Sequence, residues 1–151
     1  MENRGIIWIT ILFIIKGTST VLEKSYLRLT REPDPSLIRP ETVLKQSLER
    51  IMNKWNNRQV SYNYVADQLR SIRQVSFINK ASSMLIQDLV VQDIQNEFTV
   101  HVYETNVRLC LENQDVNYYN QCQSQLMQLY RKGIQSNNKY VPRKYILINL
   151  D

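Results

Sequence analysis

Apolar residues recur three and four positions apart along much of this chain, and that spacing predicts helices. Val43, Leu44, Leu48, Ile51, Met52 and Trp55 form one stripe on a helix that starts at Pro40. Proline suits a first turn because its missing N–H has no intrahelical acceptor there, and Glu41 sits at the positive end of the helix dipole. The polar run Asn56–Arg58 ends that helix. Ser61–Gln74 predicts a second, with Ser61 as N-cap and Tyr64, Val65, Leu69 and Ile72 as its stripe. Asp88–Asn113 is rich in β-branched residues, and Phe98–Tyr103 alternates as a strand would. The longer register of Val91, Ile94, Phe98, Val102, Thr105 and Leu109 favours a helix, widened by Val107, Cys110 and Leu111 into one that is apolar most of the way round. After the polar link Glu112–Asp115, Asp115 caps a further stripe of Tyr119, Cys122, Leu126, Leu129 and Tyr130, closed by Lys132–Gly133. Two helices so closely joined form an αα-hairpin, the unit that stacks into tetratricopeptide-like arrays. The expected fold is therefore all-α, although no repeat period is visible.

Three stretches fall outside these stripes. Met1–Thr20 (MENRGIIWITILFIIKGTST) has an apolar run of eleven residues, Gly5–Ile15, too short for the roughly 20 that span a bilayer. With Arg4 before it and small residues after it, the segment has the outline of a signal peptide. It equally suits flanking translation that is not genuine coding sequence, or a structured helix or strand. Arg31–Arg39, with its PDPS run, predicts an extended linker. Gln135–Lys139 is polar linker, and Tyr145–Leu150 (YILINL) is a short strand or no element.

Charge divides the chain. Residues 1–75 hold 12 Lys/Arg against 7 Asp/Glu and so carry the whole excess of +5, whereas Ile86–Tyr130 has six acids and Arg108 as its only base. A nucleic-acid surface needs clustered cations to displace counterions. Only the first half offers them, through Lys24, Arg28, Arg31, Arg50, Lys54, Arg58, Arg70 and Arg73; solvated helix faces explain the same residues. Two cysteines and one histidine, His101, are too few for a disulfide framework or a metal cluster, and they suit a reduced intracellular protein. The three scattered glycines build no phosphate loop, and no catalytic motif is present. Asp93 and Glu97 share a helix face as solvated carboxylates, and the nine tyrosines suit core and interface positions better than base stacking. No enzyme, cofactor, metal or small-molecule substrate is expected.

Several long words then follow one another: EKSYLRLT, the PDPS…RP linker, YVADQLRSIRQ, VQDIQNEFTVHVYETNVRLCLE and YNQCQSQLMQLY. In order and spelling they resemble the Sac-three/GANP/Thp-three family, in its leukocyte receptor cluster member 8-like branch, over Leu22–Gln74 and Asp88–Gly133. The family pattern runs RSIRQDL without a break. Here thirteen residues, Val75–Gln87 (VSFINKASSMLIQ), separate RSIRQ from DL. Val-Ser is encodable by GTAAGT and Gln by CAG, a splice donor and an acceptor ending, so the insertion reads as a retained in-frame intron or as a lineage-specific loop. The division expected is residues 1–21 outside the family pattern, a partial helical domain over 22–133 with 75–87 inserted, and a non-family tail over 134–151. The helical hairpins would be of PCI-like type, incomplete and without the C-terminal winged helix.

The resemblance implies a non-catalytic nuclear scaffold that couples transcription, splicing and mRNA export. It implies a PCI-domain partner protein and RNA contact through a composite surface, with no membrane role. Any RNA contact from this chain would fall on Arg70 and Arg73, with weaker support for Arg28 and Lys54. Phe98–Tyr130 would serve packing and protein contact. Two other classes fit the residues: a small secreted or membrane-anchored helical protein, if Met1–Thr20 is a true signal, and a direct RNA-binding module.

Overall fold

The computed structural model describes residues 16–26, 34–73 and 94–135. The inserted segment 75–87, Arg28, Val91, and the expectations for residues 1–15 and 136–151 lie outside them. Among the described residues there are four α-helices, α1 (Glu41–Asn56), α2 (Tyr62–Ile72), α3 (Glu97–Glu112) and α4 (Val116–Arg131), one 3-10 turn at Pro35–Leu37, and no strand.

Three of the four helices begin at a side-chain cap, and α1 begins at a proline. Pro40 precedes α1 in extended conformation and Glu41 fills the first turn. Ser61 accepts from the Tyr64 N–H at the start of α2. Asn96 and Thr99 form a reciprocal capping box on α3, satisfying N–H groups that otherwise lack partners. Asp115 accepts from the Tyr118 N–H to open α4. The α4 terminus closes as a Schellman turn: Gly133 takes φ +79°, its N–H reaches the Tyr130 carbonyl, and the Ile134 N–H reaches that of Leu129. Phe98–Tyr103 is helical throughout. Its strand-like alternation lasts only six residues, while the helix continues for about two and a half further turns below a strong cap.

α3 is central, with ten buried residues spread around most of its circumference. On one side Val100, Tyr103, Val107 and Cys110 pack against Tyr118, Tyr119, Cys122, Leu126 and Leu129 of α4. On the other, Val102 and Leu109 join Leu44, Leu48 and Ile51 of α1 and Val65, Leu69 and Ile72 of α2. Each such aliphatic side chain contributes roughly 1.5–3 kcal/mol on burial. Asn96 also ties the two halves together, its Nδ2 donating to Glu41 Oε2 at 3.0 Å.

The segments before α1 form a strap. Thr18 and Ser19 donate backbone N–H groups to the carbonyls of Pro35 and Ile38 at 2.9 and 2.8 Å. A Cβ at Gly17 would lie 2.4 Å from the Ile38 carbonyl oxygen, so only glycine permits this approach. Further along, the Lys24 N–H donates to Gln68 Oε1 at 2.9 Å and that of Tyr26 to the Asp67 carboxylate at 3.3 Å, both on α2. The end of the expected polar linker is therefore interior: Ile38 and Arg39 are 1% and 0% exposed. Arg39 reaches the Leu22 carbonyl at 3.3 Å and Ser71 Oγ at 2.9 Å, which satisfies donors that burial would otherwise strand.

Candidate functional site: an arginine–tyrosine ladder

The C-terminal end of α2 carries Arg70 on an exposed position and Arg73 as its C-cap. The N-terminal end of α4 places Tyr118 between them. The Arg70 guanidinium lies over the Tyr118 ring at 4.8 Å and over Tyr26 of the strap at 5.7 Å. The Arg73 guanidinium lies over Tyr118 at 4.1 Å and over Tyr103 of α3 at 5.9 Å. Two cations and three tyrosines thus run from the surface at Arg70 to the core at Tyr103. Ring quadrupoles attract cations, and more strongly away from water.

Arg73 is 1% exposed. Its Nε donates to the Tyr118 hydroxyl at 3.1 Å, and that hydroxyl donates to the Ala66 carbonyl at 3.3 Å. Among the described residues no carboxylate pairs with either arginine, and Arg73 Nη1 is buried without a hydrogen-bond partner. The negative end of α2 offsets part of the buried charge. Burial pushes the Tyr103 hydroxyl up to about 12, with Arg73 opposing it. Burial likewise raises Tyr118, again against Arg73. Arg73 also faces the cysteine pair of the hairpin. The hydrogen bond to Cys110 holds the Cys122 thiol below its ordinary value against the opposing effect of burial, with Arg73 assisting; Cys110 is raised by the same bond and by burial. The Tyr62 hydroxyl lies 3.7 Å from Cys110 Sγ and donates to Asp115 Oδ2 at 2.9 Å.

Arg70 and Arg73, expected as a pair of candidate RNA contacts, separate here. Arg70 is exposed, whereas Arg73 points inward. The chain leaves α2 at Arg73 with φ −91° and ψ 159°, so the helical wheel no longer sets its direction. Lys54 is engaged by the strap: its Nζ and Arg50 Nε each reach Glu23 Oε1 at 2.5 Å, and the Tyr64 hydroxyl donates to Glu23 Oε2. Those bonds, from Lys54 first and then Tyr64 and Arg50, hold the Glu23 carboxyl down at about 2. Arg28 lies outside the described residues. His101 is half-buried on α3, its imidazole lowered by burial against the opposing charge of Glu104.

Four features carried no advance signal. Arg39 and Arg73 have no apolar period to betray burial. Glu104 is 4% exposed with one oxygen accepting the Tyr130 hydroxyl at 2.6 Å and the other unpartnered. Asn106, fully buried, bonds the Val102 carbonyl through Nδ2, while its oxygen has no partner. No group of three His, Cys, Asp or Glu side chains suited to a metal occurs among the described residues, and no described helix is long and apolar enough to cross a membrane.

No family model matches the chain. Individual proteins do. The chain is 50% identical over 125 residues to a THP3 homolog of Schizosaccharomyces pombe, covering 83% of this chain and 28% of that protein. It is 40% identical over 130 residues to Protein THP3 of Saccharomyces cerevisiae, covering 86% and 24%. It is 44% identical over 123 residues to the Leukocyte receptor cluster member 8 homolog of Xenopus laevis, covering 82% and 14%. The chain thus spans about a quarter of the two yeast relatives and less of the frog protein.

Proposed function

The chain belongs, over more than four-fifths of its length, to the SAC3/THP3 family, and we propose that it works as a non-catalytic helical segment of a nuclear scaffold that couples transcription and splicing to mRNA export. The observation that carries this reading is the 40–50% identity to THP3 proteins over more than four-fifths of the chain. None of the relatives' names denotes a catalysed reaction. The partner expected is a PCI-domain protein that packs against these helices, and RNA is held on a surface made jointly with it.

The charge arrangement supports that division of labour. Arg50 and Lys54 share Glu23, which offsets one of their two charges; Lys45 pairs with Glu41, and Arg108 faces Glu112 at 4.0 Å. Cations so paired release few counterions from a phosphate backbone, so the partner supplies most of the RNA-binding charge. The test is purification of the full-length protein from nuclei, with crosslinking mass spectrometry. A PCI-domain protein crosslinked to residues 41–131 is the expected result. Recovery of the intact protein without such a partner, or from the secretory pathway, would overturn the reading.

A further inference from the structure

The exposed end of the ladder has a chemistry of its own. Arg70 is exposed, and among the described residues no hydrogen-bond acceptor or carboxylate is paired with its guanidinium. Tyr118 and Tyr26 lie over the guanidinium and restrict its orientation. A guanidinium fixed in this way loses less rotamer freedom when an anion binds, and its fork matches a carboxylate through two parallel hydrogen bonds. Arg73, sharing the Tyr118 ring at 4.1 Å with Nη1 unpartnered, adds positive potential behind it.

We propose that Arg70 is a docking point for a carboxylate on an acidic peptide segment of a partner protein. This does not rest on the nuclear role proposed above. The surroundings favour one or a few carboxylates over a polyphosphate backbone. Arg50 and Lys54 are held by Glu23, Lys45 by Glu41 and Arg108 by Glu112. Arg58 lies before the start of α2 and Arg131 at the end of α4. At 1.5 Å per residue the start of α2, which Arg58 precedes, is ~12 Å along that helix from Arg70, and Arg131 is ~20 Å along α4 from Tyr118. The excess of acids in residues 86–130 repels a long polyanion more than it repels a short acidic peptide.

The test is fluorescence anisotropy at low salt with the full chain and two labelled probes, a peptide of four glutamates alternating with alanine and a decauridylate. The peptide is expected to bind, with Arg70→Gln weakening it about tenfold and Arg58→Gln changing it by less than about twofold. Arg70→Lys should recover less than half of the loss, because an ammonium has no fork. Tyr26→Leu, which keeps the arginine and removes one ring, should give a smaller loss of about threefold. Thermal melts of the variants establish that each remains folded. Absence of peptide binding, an unchanged Arg70→Gln, an equal loss in Arg58→Gln, or full recovery by Arg70→Lys would each overturn the proposal. Tighter, Arg70-dependent binding of the decauridylate would overturn it in favour of a nucleic-acid contact.

Discussion

The hairpin α3–α4 and the pair α1–α2 bury similar side chains by different means. The hairpin is closed by a short turn whose own residue, Asp115, caps α4 and accepts the Tyr62 hydroxyl. Its core is contiguous and local. The α1–α2 pair is finished by groups distant in sequence: Glu23 on Arg50, Lys54 and Tyr64, Arg39 on Ser71, and the Lys24 backbone on Gln68. Local apolar contacts form cheaply, because little loop entropy is lost. The strap contacts close longer loops through polar groups whose net stabilisation is smaller. The hairpin should therefore be the more persistent unit, and α1–α2 the half that responds to strap variants.

The largest effect should come from the hairpin core. Leu126 is 0% exposed, and Leu126→Ala is expected to cost about 2–5 kcal/mol by urea denaturation. Ile51→Ala, equally buried in the other half, should cost a similar amount but leave α3–α4 amides protected in hydrogen exchange. If Ile51→Ala strips protection from both halves equally, the distinction between them fails.

Arg73 joins the two halves and comes next. Arg73→Ala removes a buried cation from two rings and should cost about 3 kcal/mol. Arg73→Met restores volume without charge. Recovery of less than half by Met assigns the loss to cation–ring attraction, and full recovery assigns it to packing. Third is Asp115→Ala, expected to cost about 1–2 kcal/mol by losing an N-cap and the acceptor for Tyr62.

The same division governs what could be read in advance. The stripes of α1, α2 and α4, and that of α3 from Phe98 onward, fell on the helices because apolar period reports burial directly; Ile94 instead precedes α3, whose cap is Asn96, and Leu111 is exposed. Ser61 and Asp115 were legible as caps because a cap is a local bond. Tyr118 was missed beside Tyr119, since α4 buries a wider face than a single stripe. Arg39 and Arg73 were unreadable as core residues: burying a guanidinium depends on acceptors and rings from elements far along the chain. Of the candidate site, Arg70 was recognisable as an off-stripe cation, whereas its ring partners Tyr26 and Tyr118 lie 44 and 48 positions away in sequence. Lys54 read as a free charge because the return of Glu23 across α1 has no local signature.

The smallest effect concerns the strap, and its sign follows from Glu23. Its folded carboxyl sits at about 2 against an ordinary 4.5, held down first by the Lys54 bond and then by Tyr64 and Arg50. A lowered folded value means that the unfolded chain takes up the proton first. The stabilisation is therefore complete above pH 4.5 and is lost as pH falls from there toward 2. The group is partly solvated, so water screens much of it, and Glu23→Gln should cost only about 1 kcal/mol near neutrality. That corresponds to a Tm lower by about 3 °C. Asp34, held below its ordinary value by the Ser36 hydroxyl and N–H, titrates in the same direction and is present in both proteins. The informative quantity is thus the difference in Tm between wild type and Glu23→Gln. It should be constant from pH 7 to 5 and shrink toward zero by pH 2.5. A difference that stays constant down to pH 2.5 would mean that Glu23 is not clamped in solution, and the strap would then not be what completes the α1–α2 half.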